Sequence, residues 1–271
     1  MYLKYCYLTV INFKVLMNNI SSTVRDDTIS LSSKLDISNT ILKDRFALVP
    51  SQYFIFPESK SYSRESFISD WDTLEVDLHM ADNGSYRLRR YGVFNLDQRT
   101  LNLTYQTDNT FYQSLETNPI NGGFERGFAK LQDSTIGNHF LHALIRMDFK
   151  SLPSSITSKD ASWKIGVHQI KIRSFPGNPG LPTPEGIHRD NEAFTVQHLI
   201  QRHNIALGEN LFYGKNKAPS KIAMITWLQE DFFDSYYFDK SVWHSVSPIE
   251  SLDGINEGFR DVLLLDFVPC T

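Results

Sequence analysis

Residues 163–173 read WKIGVHQIKIR, and the alternation along that stretch decides the architecture. Successive side chains of an extended strand point to opposite faces, so alternating apolar and polar residues mark a strand lying on a core. The same signature returns in FTVQHLIQR (194–202), IAMITWL (222–228), SYYFD (235–239), SVWHSV (241–246) and RDVLLLDFV (260–268). Turn residues separate these runs. Short strands at regular spacing predict a sandwich or a barrel.

Between the first two of these strands lies GIHRD, residues 186–190. Side chains at i and i+2 share a face, so His188 and Asp190 can present an imidazole and a carboxylate to one point. His244, in VWHSVSPI, supplies a second imidazole from a distant strand. Two histidines and one carboxylate on one face of an octahedral metal leave three positions open. That set suits non-haem Fe(II) oxygen chemistry. An H-x-D alone is a weak signal. Its conjunction with His244 and with Arg260, an arginine inside an apolar strand, is far more specific.

These residues are identified with a known family. The chain resembles the Fe(II)/2-oxoglutarate-dependent dioxygenases, within the branch that includes bacterial L-isoleucine 4-hydroxylases. Three blocks carry the likeness: QSLETNPINGGFERGF (113–128), VHQIKIRSFPGNPGLPTPEGIHRD (167–190) and VWHSVSPIESLDGINEGFRDVLLLDF (242–267). An R-x-N-I step, Arg202 to Ile205, and Gly208-Glu209 fit between the last two. The likeness covers residues 45 to 268, and the last two blocks are its specific part. Asn191 follows the H-x-D where the branch usually has Gly, and Leu207-Gly208-Glu209 stands for a usual Gly-Gly-Glu. Both departures fall near the expected cleft mouth and bear on the substrate more than on the metal.

The resemblance implies a mainly β fold with packed helices, the double-stranded β-helix or jelly roll of cupin type, with its core mostly in 163–268. It implies Fe(II), 2-oxoglutarate as co-substrate and O2, with ascorbate as a helpful reductant. It implies hydroxylation of an aliphatic carbon of a small substrate, a free L-amino acid such as isoleucine, with succinate and CO2 released. His188, Asp190 and His244 would hold the iron as the catalytic centre. Arg260 would bind the 5-carboxylate of 2-oxoglutarate, because a buried arginine is costly unless paired and its fork matches a carboxylate. Asp190 also argues against a halogenase, whose pattern has a small residue there. The VHQ string recurs in the branch, so His168 or Gln169 would contact the co-substrate or support a residue that does, against the plainer reading of a core or sheet-surface role. The two face opposite ways and only one can reach the cleft. Arg173, on the face of Gln169, and Glu209, after Gly208, are candidates for a substrate carboxylate and amine. A competing reading keeps the barrel but makes it a cupin-type binder of a metal or small acid without turnover.

Elsewhere the reading is plainer. In YRLRRYGVFNLD (86–97), Arg87, Arg89 and Tyr91 share one face. That string is either a solvated edge strand or one that sends an arginine such as Arg89 into a cleft toward a carboxylate. Phe140, Leu141, Leu144, Ile145 and Met147 predict an amphipathic helix over 135–150, on which His139 and His142 are surface or half-buried. His198 and His203 are read as structural, and Asp261 as pointing to solvent.

The chain has 271 residues, 41 % of them hydrophobic and 13 % aromatic, enough for a sizeable core. A net charge of −4 offers no electrostatic reason to expect nucleic acid or an anionic membrane. Cys6 and Cys270 form no framework and suggest a reducing, cytoplasmic setting. Residues 1–43 read as a lead-in, disordered or from a mis-assigned start, although 1–17 could also be a packed strand. Residues 44–271 read as one domain.

Overall fold

The strand anticipated at 163–173 runs from Ser162 to Ser174 and lies inside an eight-stranded sheet. In this computed structural model, residues 29–58, 61–107, 110–115, 120, 122–214 and 222–270 are described. The sheet order is Phe46–Val49, Ser235–Asp239, Phe194–His203, Gly258–Pro269, Ser162–Ser174, Arg87–Asp97 and Glu75–Val76, with Leu103–Gln106 beside Arg87–Asp97. Every pairing is antiparallel. The early strand Arg87–Asp97 pairs along its whole length with Ser162–Ser174. The Ser-, Pro- and Lys-bearing stretch at 150–162 therefore divides no sheet.

The two faces of the large sheet have different covers. On one face Ile165, Val167, Leu263, Leu265 and Phe267 join Phe140, Leu141, Leu144 and Ile145 of the helix His139–Ser151 in the main core. A fully buried Leu, Ile or Phe contributes roughly 1.5–3 kcal/mol, so this helix fixes the sheet's back face. Asn138 ends the anticipated helix early and restarts it. Its side chain accepts the Phe140 and Leu141 N–H groups at 2.9 and 3.2 Å, and Asp133–Ile136 forms a separate turn before it.

On the other face lie two small sheets. Asn210–Gly214 pairs with Ile225–Trp227 and Trp243–Val246, and Ile205–Leu207 pairs with Ile249–Ser251. Phe212 stacks on Phe46 at 5.1 Å and packs with Tyr236 and Phe238. Ile172, Ile205 and Ile249 close the other end. Two antiparallel sheets face to face, with helices behind the larger one, make a jelly roll. The parity of the central strands then sorts side chains. Arg87, Arg89, His168, Ile170, Arg260, Leu264 and Asp266 line the cleft between the sheets.

Two expectations are corrected here. The polar lead-in does not extend through residues 29–43. Ser30–Leu31 pairs with Phe54–Ile55, Ile37–Asp44 is a helix capped by Asp36, and Ile29, Ile37 and Ile41 are buried in the main core. Its Ser- and Asp-rich composition hid three isoleucines that share one burial site. Residues 1–28, with the readings made on them, lie outside the described residues. Asp261 does not face solvent. It is buried against the helical layer, with Lys171 at 3.5 Å. Among the described residues no helix is long and apolar enough to cross a membrane.

Candidate metal centre

The segment carrying the H-x-D is stitched onto the strand of the second histidine. Gly180 and Ile249 exchange backbone hydrogen bonds at 3.0 and 2.9 Å, and His188 and His244 do so at 3.0 and 2.8 Å. Between them the Thr183 hydroxyl donates to the Val246 carbonyl and accepts from the Val246 N–H. Gly186 has φ 79°, a left-handed conformation that a side chain would penalise. That turn aims His188 inward.

The result is a compact donor set. The ligand atoms of His188, Asp190 and His244 lie within 4.8 Å of one another. His188 Nε2 is 3.7 Å from Asp190 Oδ1, and His244 Nε2 is 3.8 Å from Asp190 Oδ2. The other ring nitrogens are engaged: His188 Nδ1 donates to the Gly186 carbonyl at 3.0 Å, and His244 Nδ1 to the Val242 carbonyl at 3.3 Å. This assigns both protons to Nδ1 and leaves both Nε2 lone pairs directed at the carboxylate. A metal-ligating histidine needs that tautomer, held by that kind of partner.

The electrostatics agree. Burial, with help from His188, pushes the His244 imidazole down to about 4, so it is neutral and able to bind a metal. At His188 burial also lowers the pKa, but the Asp190 and Glu185 carboxylates outweigh it and the net shift is upward. A metal cation would take the place of the proton those carboxylates attract. The donors therefore fit an octahedral metal bound on one face.

Arg260 is 2 % exposed and its Nη2 donates to Gln229 Oε1 at 2.6 Å and Asn210 Oδ1 at 3.3 Å. Its Nε has no partner. Burial lowers its pKa to about 10. Among the described residues no carboxylate neutralises it, which excludes the internal ion pair that would have made it purely structural. Tyr236 and Gln197 line the same end of the cleft.

The other anticipated site residues divide cleanly. His168 faces the cleft: its Nε2 donates to Asp266 Oδ2 at 2.8 Å, and Arg89 Nη2 donates to its Nδ1. Gln169 is corrected. It is fully buried on the opposite, helix-facing side of the sheet, so no ligand in the cleft can touch it. Arg89 is buried and lines the cleft, which decides against a solvated edge strand. Arg173 does not reach the cleft. It donates to the Ser85 carbonyl at 2.9 Å and sits 3.7 Å from Glu257. Glu209 does not reach it either; its backbone is held by Ser247. His198 is locked between Asp148 at 3.0 Å and Ser235 at 2.7 Å, a structural role.

Sequence reasoning missed Arg126, Glu185 and Glu192, all of which line the cleft. Glu185 stands 3.5 Å from His188 Nε2. Burial, then the Asp190 charge, raises the Glu192 carboxyl to about 7. Arg126 lies in a two-residue strand, Glu125–Arg126, too short to show a period. Glu185 alone carried a usable signal, three residues before His188.

Comparison with known proteins places the chain. The profile of the 2OG-Fe dioxygenase family matches residues 69–266. L-isoleucine-4-hydroxylase of Bacillus thuringiensis is 28 % identical over 200 residues, covering 73 % of this chain and 80 % of that protein. The 3(1)-hydroxy-L-isoleucine 4-dioxygenase of Pantoea ananatis (strain AJ13355) is 21 % identical over 244 residues, 86 % of this chain and 95 % of that one. The crystal structure of a bsmA homolog from Methylobium petroleophilum PM1 superposes with a TM-score of 0.73 at 24 % identity, covering 89 % of this chain and 94 % of the other. A family match across 69–266 spans all three metal-donor residues and Arg260, and the chain belongs to the 2OG-Fe dioxygenases, enzymes that depend on iron and 2-oxoglutarate.

Proposed function

We propose that the chain hydroxylates an aliphatic carbon of a small free L-amino acid, isoleucine or a similar one, in the cytoplasm. One oxygen atom of O2 enters the product as a hydroxyl group. The other enters succinate, formed with CO2 from 2-oxoglutarate. The observation that carries the reading is a converging His188–Asp190–His244 donor set in one cleft with an unneutralised buried Arg260. A binder without turnover has no need for both. The substrate class rests on the names of the two hydroxylase relatives.

Iron bound with 2-oxoglutarate supplies an oxidant able to take a hydrogen atom from an unactivated C–H bond. The chain's own residues prepare for it. His188, Asp190 and His244 would hold the iron through two imidazole nitrogens and one carboxylate, and would leave it room for co-substrate and O2. Arg260 receives the 5-carboxylate of 2-oxoglutarate as a charge-assisted pair, beside the Tyr236 hydroxyl. Gln229 and Asn210 hold the guanidinium in place from behind. Phe238, Val246 and Leu264 line the cleft with apolar surface and exclude water from the reacting carbon.

The test is succinate formation with Fe(II), ascorbate and O2 across a panel of free amino acids. Succinate that rises with one aliphatic amino acid, matched by a product one oxygen atom heavier, establishes class and substrate together. Slow succinate formation indifferent to the panel removes the amino-acid reading. No succinate from iron-loaded protein removes the enzyme.

A further inference from the structure

Two more buried guanidiniums line the cleft: Arg89, two strands across the large sheet from Arg260, and Arg126, on the separate pair that Glu125–Arg126 makes with Phe111–Tyr112. Arg126 is 1 % exposed, and its only hydrogen-bond partner among the described residues is Gln113, whose Oε1 accepts from Nη2 at 2.6 Å. Arg89 is 7 % exposed and donates through Nη2 to His168 Nδ1. His168 spends its own proton on Asp266 through Nε2, so it meets Arg89 as a neutral acceptor, and the Asp77 and Asp266 carboxylates offset the Arg89 charge only in part, from beyond ion-pair distance. The Nε atoms of Arg89 and Arg126 have no partner. Neighbouring Arg87 shows the alternative: it is paired with Asp77 at 2.7 Å.

The two guanidiniums share one aromatic slot. Arg89 lies 4.1 Å from the Phe128 ring centre and 5.1 Å from that of Phe111, and Arg126 lies 5.5 and 4.8 Å from the same rings. Aromatic faces tolerate a buried cation but do not neutralise it. Among the described residues neither has a carboxylate within ion-pair distance; Asp77 and Asp266 act on Arg89, and Asp77, Glu185 and Glu192 on Arg126, only from farther away, and the cost of burial outweighs them. An anion with two acceptor oxygens removes that cost and fits two forks. Burial lowers Arg89 to about 9 and Arg126 to about 10, which is the cost seen as proton affinity.

We propose that Arg89 and Arg126 form a second carboxylate seat, separate from Arg260, which takes the α-carboxylate of the substrate. This rests on the free amino-acid reading above. On that reading the two carboxylates of 2-oxoglutarate would go to the metal and to Arg260, which leaves this seat for a carboxylate of the other substrate. Phe111 and Phe128 hold the two guanidiniums in place through their ring faces.

The experiment uses Arg126→Gln and Arg126→Met in the full chain, with L-isoleucine and L-isoleucinamide as probes. The amide keeps the side chain and amine and lacks the carboxylate. Loss of a charge-assisted contact predicts a rise of about ten- to hundredfold in KM for L-isoleucine. The KM for 2-oxoglutarate and the visible absorption of its Fe(II) chelate stay at wild-type values. L-isoleucinamide is a poor substrate for the wild type, and the substitution does not worsen it further. An altered 2-oxoglutarate KM assigns the seat to the co-substrate and overturns the proposal, as does an unchanged L-isoleucine KM. If the wild type turns over no free amino acid, the functional reading fails and the seat is judged separately by thermal shift of the metal-free protein with isovalerate. A rise in Tm that Arg126→Gln abolishes supports the seat, and its absence in the wild type overturns it. Arg126→Met guards against a merely structural role: replacing a buried charge that has no ion-pair contact leaves Tm unchanged or higher, whereas a structural arginine would lose stability.

Discussion

His188, Asp190 and Arg260 stand in one cleft, yet their loss should look different. Removing the Asp190 carboxylate takes away the only anionic ligand of the donor set and leaves His188 and His244 facing each other with rings 4.4 Å apart. Asp190→Ala and His188→Ala therefore lose iron, read as metal content after dialysis against Fe(II) under nitrogen, and turnover goes with it. Arg260→Ala keeps the donor set. A lost charge-assisted hydrogen bond is worth roughly 1.5–3 kcal/mol, so the concentration of 2-oxoglutarate needed rises about ten- to hundredfold with iron content unchanged. An Arg260→Ala protein with wild-type 2-oxoglutarate dependence would mean that the guanidinium serves only Gln229 and Asn210. Asp261 gives a prediction at the same scale on the other side of the sheet. Burial raises its carboxyl from 3.8 to about 7. The folded state then holds that proton more tightly than the unfolded chain, so between about pH 4 and 7 unfolding releases it and stability falls as pH rises. A tenfold change in proton affinity is about 1.4 kcal/mol. Asp261→Asn removes a cost on the order of 2–4 kcal/mol above pH 7 and little at pH 4. Tm should rise in the variant at pH 8 and match the wild type at pH 4. Equal Tm values at both pH values would sink the assignment.

At the scale of elements, strands were legible where two faces differ in chemistry. The run at 163–173 was read as a strand because its apolar residues alternate, and its partner at 260–268 because a short, largely apolar run stands there between turn residues. Which face of Ser162–Ser174 met the cleft was not legible. His168 and Gln169 are both polar and both buried, so no hydropathy contrast tells the sides apart; only pairing with Arg87–Asp97 and Gly258–Pro269 does. Arg126 was invisible for another reason: a two-residue strand has no period. The helix Ile37–Asp44 was missed because its polar residues outnumber the two isoleucines that seat it. One departure from the family pattern did carry structural meaning. Leu207 stands where relatives usually have glycine, and its φ is 61°. A left-handed conformation costs an L side chain roughly 1–2 kcal/mol, and Leu207 is 45 % exposed, so little burial offsets that. Leu207→Gly should raise Tm by about 2–4 °C per kcal/mol recovered, less the flexibility glycine adds to the unfolded chain. A lower Tm in the variant would show that the leucine packs on something that repays its strain.

Across the whole molecule, the cleft is a junction of parts that have no other reason to meet. The donor set joins the segment after Ser162–Ser174 to the strand Trp243–Val246, and Arg260 sits on the strand between Phe194–His203 and Ser162–Ser174. Ligands that bridge these parts bind the folded chain and not the unfolded one, and they stabilise it by mass action, about 2.7 kcal/mol at a hundred times Kd. At about 2–4 °C per kcal/mol for a chain of this size, each saturating ligand should raise Tm by about 5–10 °C. The order of addition carries the information. Under nitrogen, Fe(II) alone should raise Tm, and 2-oxoglutarate should add a second increment only once Fe(II) is present, because its chelating end needs the metal. Arg260→Ala should keep the iron increment and lose most of the second, whereas Asp190→Ala should lose both. If 2-oxoglutarate stabilised Asp190→Ala as well as the wild type, it would be held by the buried arginines alone. The metal and the co-substrate would then be independent guests of one cleft, and the chelate that the proposed reaction requires would not form.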